Sequence, residues 1–210
     1  MNSMDEMIRQ YVYPVARSAK FSRRGRRFQR VSDRGDSAIL EISVQHVDPN
    51  RFVFDVICWI VPATRWSWLR RNETQVKIPD SSGAIATFLV IPPDEFAHAP
   101  NEEMPFRSRW AFDDGGIESC GQVLRRMIEV ESIPCMVRLL DRVILLSELR
   151  NPESEILRLC GLNVCEILLR VDDGSVEEVE GLLAAGEEGG TFPKFLTWAR
   201  ERLAERVLPS

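Results

Sequence analysis

Histidine is nearly missing from this chain. His46 and His98 are the only two among 210 residues, and histidine is the usual proton-transfer group near neutral pH. His46 follows a strand alternation onto an apolar face beside a turn, and His98 falls in a proline-rich loop. Both read as structural or solvent-facing. The chain has no Gly-x-Ser-x-Gly elbow and no His-Glu-x-x-His helix, which excludes the commonest nucleophile and metalloprotease signatures. A glycine-rich phosphate loop is missing too, because Gly115-Gly116 and Gly189-Gly190 lack the lysine or the further glycines such loops need.

Other absences set the compartment. The cysteines Cys58, Cys120, Cys135, Cys160 and Cys165 are odd in number and contain no Cys-x-x-Cys pair, which argues against a disulfide framework. Cys160 and Cys165 are close in sequence but have no histidine nearby, so no zinc site is expected. All five read as small buried residues of a reducing cytosol. No apolar run is long enough to span a bilayer; the run from Arg51 to Val61 even contains Asp55. The start Met-Asn-Ser-Met-Asp-Glu-Met lacks a basic segment followed by an apolar one. The expectation is a cytoplasmic, soluble chain with no cofactor, no metal and no membrane contact.

What is present is polarised charge. Residues 7–32 hold eight basic groups and no acid, leaving 19 of the 27 basic groups to face all 32 acidic ones elsewhere. Residues 151–190 carry ten acids against two arginines. Such asymmetry points either to an anionic partner or to a basic start lying on an acidic part of the same fold.

Periodicity gives an α+β order: an N-terminal helix, an antiparallel sheet of four to five strands, and a C-terminal helical segment. Ile8, Tyr11, Val12, Val15 and Ala19 make one helical stripe interrupted by Pro14, where a kink or break is expected. Strands are predicted at 28–32, 38–44, 52–61, 86–91 and 107–112, with turns at Asp33-Arg34-Gly35-Asp36 and Asp48-Pro49-Asn50 and a loop over 92–105. Helices are predicted from Ile117, from Pro134 to about Arg150, from Asn151-Pro152-Glu153 with an interruption at Gly161, from the capping box Ser175-Val176-Glu177-Glu178, and after Thr191. The domain reading is residues 1–150 as an α+β domain and 151–210 as a helical extension packed on it.

Three constellations are candidates for function. The run Arg23-Arg24-Gly25-Arg26-Arg27, continued by Arg30, is read as a loop between helix and strand, able to grip phosphates bidentately. The pI of 5.3 argues against a general nucleic-acid binder. Trp66 and Trp68, with Arg65, Arg70 and Arg71, can line an interface or plug the open end of the sheet. Glu41 and Asp55 lie on neighbouring strands; together they could serve acid-base chemistry, or one could simply meet an arginine such as Arg30.

The start of the chain also resembles a known family. A proline-bearing amphipathic helix leads into Ala19-Lys20-Phe21-Ser22-Arg23-Arg24-Gly25-Arg26-Arg27-Phe28-Gln29-Arg30 and then a strand through Leu40-Glu41-Ile42-Ser43-Val44-Gln45. This is similar to the bacterial family called domain of unknown function 4304. The likeness covers residues of about 4–150, includes Glu131-Ser132-Ile133-Pro134 before a helix, and departs from the family pattern at Lys20, where a glycine is usual. It implies the fold and carries no activity or catalytic residues. The function expected is therefore a non-enzymatic binding or interaction protein of a bacterial system, of immunity or accessory type, with a protein partner favoured over nucleic acid. The alternatives are a small-molecule-binding enzyme using the Glu41 and Asp55 face, or a phosphate or nucleic-acid binder through Arg23 to Arg30.

Overall fold

The computed structural model describes residues 3–47, 51–74, 78–98 and 109–207. The predicted turn at Asp48-Pro49-Asn50 and most of the loop after Pro92 lie outside them. The described residues form an α+β fold of seven helices and eight strands. The helices are α1 (residues 3–18), α2 (Ala63–Leu69), α3 (residues 117–138), α4 (Arg142–Arg150), α5 (Leu162–Arg170), α6 (Val176–Glu188) and α7 (Pro193–Val207). The strands are β1 (Ser22–Arg24), β2 (Arg27–Val31), β3 (Ser37–Val47), β4 (Arg51–Val61), β5 (Ala86–Leu89), β6 (Ala97–His98), β7 (Arg109–Asp113) and β8 (Leu157–Arg158). They hydrogen-bond in the order β1-β2-β3-β4-β5-β8, with β7 on β4 and β6 on β7. More strands form than the sequence suggests because β1, β6 and β8 are only two or three residues long, too short to show a period of two.

The chain divides into two compact units. The first comprises residues 1–30, 38–59 and 88–138; the second comprises 31–37, 60–87 and 139–210.

In the first unit both long helices carry a proline, and neither breaks. Each widens by one turn of π-helix just ahead of the ring, at Ile8–Val12 before Pro14 and at Ile128–Ser132 before Pro134. Tyr13 N–H bonds to the Ile8 carbonyl, and Ile133 N–H to that of Ile128. This shift of register absorbs the donor that proline lacks. Pro134 therefore does not start a new helix as predicted; the break comes later, between Arg138 and Arg142. Helix α1 ends in a Schellman motif: Phe21 N–H reaches the Ala16 carbonyl and Lys20 N–H that of Arg17. Lys20, with φ 65°, is the left-handed residue of that motif, a position that favours glycine. Gly121 of α3 lies against Tyr11 of α1; a Cβ there would stand 2.3 Å from the Tyr11 ring. On the sheet, Phe52 pairs with Phe112 and Phe54 with Trp110 across β4 and β7. Their rings stack at 5.1 and 6.0 Å, and the buried Trp110 indole donates to the Val90 carbonyl at 2.6 Å.

In the second unit the predicted helix at Asn151-Pro152-Glu153 does not form. That segment turns and enters β8, which pairs with β5 at Ala86↔Arg158 and Thr87↔Leu157. The helix instead starts after Gly161. The serine half of the capping box is present: the Ser175 hydroxyl accepts from Glu178 N–H at 3.1 Å, while the Glu178 carboxylate pairs with Arg170. Helices α5, α6 and α7 bury Ile167, Leu168, Leu183, Phe195, Leu196 and Leu203, each such side chain contributing about 1.5–3 kcal/mol.

Candidate functional site

The arginine run is a hairpin rather than a loop. Arg24 pairs with Arg27 across β1 and β2, and Gly25, at φ 64°, takes the first position of the two-residue turn, where glycine is the favoured residue. The strands then hand the arginines to separate partners within the first unit. Arg26 Nε donates to Asp5 at 3.0 Å, and Arg27 Nη2 to Glu41 at 2.9 Å. The Arg23 guanidinium lies 5.7 Å from the Tyr13 ring centre and 5.8 Å from that of Phe28, and Arg30 donates to the Ala19 carbonyl at 3.2 Å. Arg24 is exposed and has no ion pair among the described residues. The neutralising carboxylates of Arg26 and Arg27 are thus Asp5 and Glu41, not acids of residues 151–190.

The pair read from the sheet is likewise committed in part. Glu41 spends its carboxylate on Arg27, so the meeting with an arginine occurs through Arg27 rather than Arg30. Asp55 is buried in β4. His98 is half-buried in β6.

Trp66 and Trp68 fall on helix α2, where residues two apart face away from each other. Trp66 is buried, with the Arg70 guanidinium 4.5 Å from its ring centre. Trp68 joins Phe195 and Trp198 of α7 at ring separations of 5.4 and 5.6 Å, capped by Arg71 at 3.5 Å. This cluster fastens α2 to α7 within the second unit.

One ion pair went unnoticed in the sequence because its members are 106 residues apart. Arg142 Nε and Nη2 donate to the two oxygens of Asp36 at 2.8 and 2.9 Å, and Asp36 also accepts from Ala63 N–H at 2.8 Å. Only 7% of Arg142 and 2% of Asp36 is exposed. Burial pulls the Arg142 pKa down, but the bonds and charge of Asp36, with Asp172 and Asp173, more than offset it, so the net shift is upward. Asp172 lies 3.7 Å from Arg142 and also binds Arg202 through both oxygens. A polar cleft of about 520 Å³ opens beside this network, lined by Arg34, Arg142, Arg170 and Asp173 among others. Its arginines are all engaged: Arg34 with Asp173, Arg142 with Asp36, Arg170 with Glu178.

The second concave surface is apolar. Helices α6 and α7 enclose a groove of about 660 Å³ lined by Val176, Leu183, Ala184, Leu203 and Ala204, with Glu180 and Arg200 on its sides. Val176, Ala184 and Ala204 are exposed. Helix α6 carries five glutamates and no base. Glu178 pairs with Arg170 and Glu187 with Arg200, whereas Glu177, Glu180 and Glu188 are exposed without an ion pair among the described residues. The sequence signal was there in the alternation of Val176, Val179, Leu183 and Ala184 with glutamates, and it reads equally as an ordinary core stripe.

Among the described residues no group of three or more His, Cys, Asp or Glu side chains is placed to hold a metal ion, and no helix is long and apolar enough to cross a membrane. No family model, no curated protein and no solved structure matches this chain.

Proposed function

We propose that this is a non-enzymatic, cytoplasmic binding protein of immunity or accessory type in a bacterial system, which takes an amphipathic helix of a partner protein into the groove between α6 and α7. The observation that carries this reading is the groove itself, an open apolar floor with Glu180 in its lining, a glutamate that has no ion pair among the described residues. Helix-in-groove recognition uses such a floor for the partner's apolar stripe. The acidic flank selects a partner helix whose polar edge is basic. The arginines of residues 23–30 support the reading from the other side, because most of them already serve internal partners. The likeness to domain of unknown function 4304 is part of the proposal, and the left-handed Lys20 at the family's glycine position favours it.

The test is titration with a synthetic helical peptide of about 15 residues, leucine on one face and lysine at the edges, followed by calorimetry and amide chemical shifts. Saturable binding with shifts confined to α6 and α7, lost in Ala184→Arg, is expected. No saturable binding, or shifts clustered on β1 and β2, would overturn it. Turnover of a substrate by the purified protein alone would favour the enzyme reading. Oligonucleotide binding that weakens with salt would favour the Arg23 to Arg30 hairpin.

A further inference from the structure

Cys160 and Cys165 meet because of how helix α5 begins. Gly161 is its N-cap, so Cys160 precedes the cap and Cys165 is the fourth helical residue. Those two positions pack together in the hydrophobic staple of a helix start. Here both are thiols, and their sulfurs are 3.1 Å apart. A disulfide needs about 2.05 Å, so closure asks for roughly one ångström of movement. Cys165 is buried and Cys160 half-buried, which leaves Cys160 as the sulfur a small molecule can reach. Gly161 between them has open space where a side chain would stand.

We propose that this pair is a thiol–disulfide exchange site, with Cys160 as the attacking thiol and Cys165 as the resolving one, and a small-molecule disulfide as the oxidant. In the first step the Cys160 thiolate attacks one sulfur of the oxidant; the oxidant's S–S bond breaks, one half stays on Cys160, and the other leaves as thiolate. In the second step Cys165 gives its proton to solvent and attacks Cys160 Sγ, expelling the remaining half. Two protein thiols and one small disulfide become one protein disulfide and two small thiols, with two electrons passing to the oxidant.

The surroundings fit this division of labour. The hydrogen bond from Cys165 lowers the Cys160 pKa; burial opposes that, and the positive charges of Arg65 and Arg158 add to the lowering. The same contact raises Cys165, with burial acting in the same sense. Arg65 Nε is buried without a hydrogen-bond partner among the described residues, so a neighbouring thiolate would supply a charge that no described residue gives it. The contrast within the molecule is plain: burial pushes Cys120 up to about 12 and Cys58 well above its ordinary value, which keeps both as inert thiols. Transient, sensing disulfides are the kind found in reducing compartments.

The experiment uses the full chain, reduced, freed of reductant and incubated with oxidised glutathione, then mapped by mass spectrometry without reduction. A link between Cys160 and Cys165 that reductant reverses is expected. In Cys165→Ser, glutathione should remain on Cys160; in Cys160→Ser, Cys165 should take up none over the same time. Wild-type Cys160 should react severalfold faster than an unstructured cysteine peptide. If Cys165→Ser does not fold by circular dichroism, the wild-type map and rate decide alone. A wild type with no such link, or a Cys160 no faster than the peptide, would make the pair a packed staple and nothing more.

Discussion

The two units of this protein differ in how deeply they set their arginine ion pairs. In the first, Arg26 and Arg27 each meet one carboxylate on a half-exposed surface. In the second, Arg142 is buried against Asp36 and belongs to an alternating chain that runs through Asp172 to Arg202. The dense cluster is conspicuous in the sequence, yet its ion pairs sit where solvent screens them; Arg142 is inconspicuous, yet its removal strands a buried carboxylate. Density of charge along a chain says little about where charge matters, because the dielectric around a pair sets its worth. Both sets are also largely consumed internally, whereas Glu177, Glu180 and Glu188 of α6 are exposed without an ion pair among the described residues.

Four substitutions can break or sharpen this contrast. Arg142→Met should be the most damaging, at about 3–5 kcal/mol, because it strands a buried carboxylate; chemical denaturation reads it, and a loss no larger than the surface-pair range of about 0.2–1 kcal/mol would refute the contrast. Gly121→Ala should come next, at roughly 1–3 kcal/mol by overpacking against Tyr11, read by the same denaturation. Lys20→Gly should stabilise by on the order of 1 kcal/mol through relief of left-handed backbone, seen as a raised Tm. Arg27→Ala should cost least, about 0.2–1 kcal/mol, and the difference from wild type should shrink in high salt.

Much of the architecture was readable in the sequence. The alternation through β3 and β4, the helical period after Ile117 and the Ser175 N-cap each follow from a local rule that the fold keeps. The misreadings are local too. Pro134 reads as a helix start because a π-turn that accommodates proline leaves no mark in a pattern of apolar residues. Asn151-Pro152-Glu153 seemed a helix N-terminus, yet Asn151 spends its side chain on Glu153 N–H in a turn, the other local bond asparagine can make. The Arg23 to Arg27 run reads as a loop by its charge, although Gly25 at its centre is a hairpin signal. The site was less legible than the fold. Asp36 and Arg142 have no shared motif, and the groove of α6 and α7 is made of alanines and leucines that any helical pair would show. Cys160 and Cys165 were legible in principle, since reading Gly161 as an N-cap places them in contact.

Whether the groove of α6 and α7 takes a helix is read from amide chemical shifts during titration with the lysine-edged, leucine-faced peptide. The account predicts saturable shifts at Val176, Glu180, Ala184 and Ala204 that vanish in Ala184→Arg while Arg27→Ala leaves them unchanged. Shifts that persist in Ala184→Arg, or that disappear in Arg27→Ala, would contradict it.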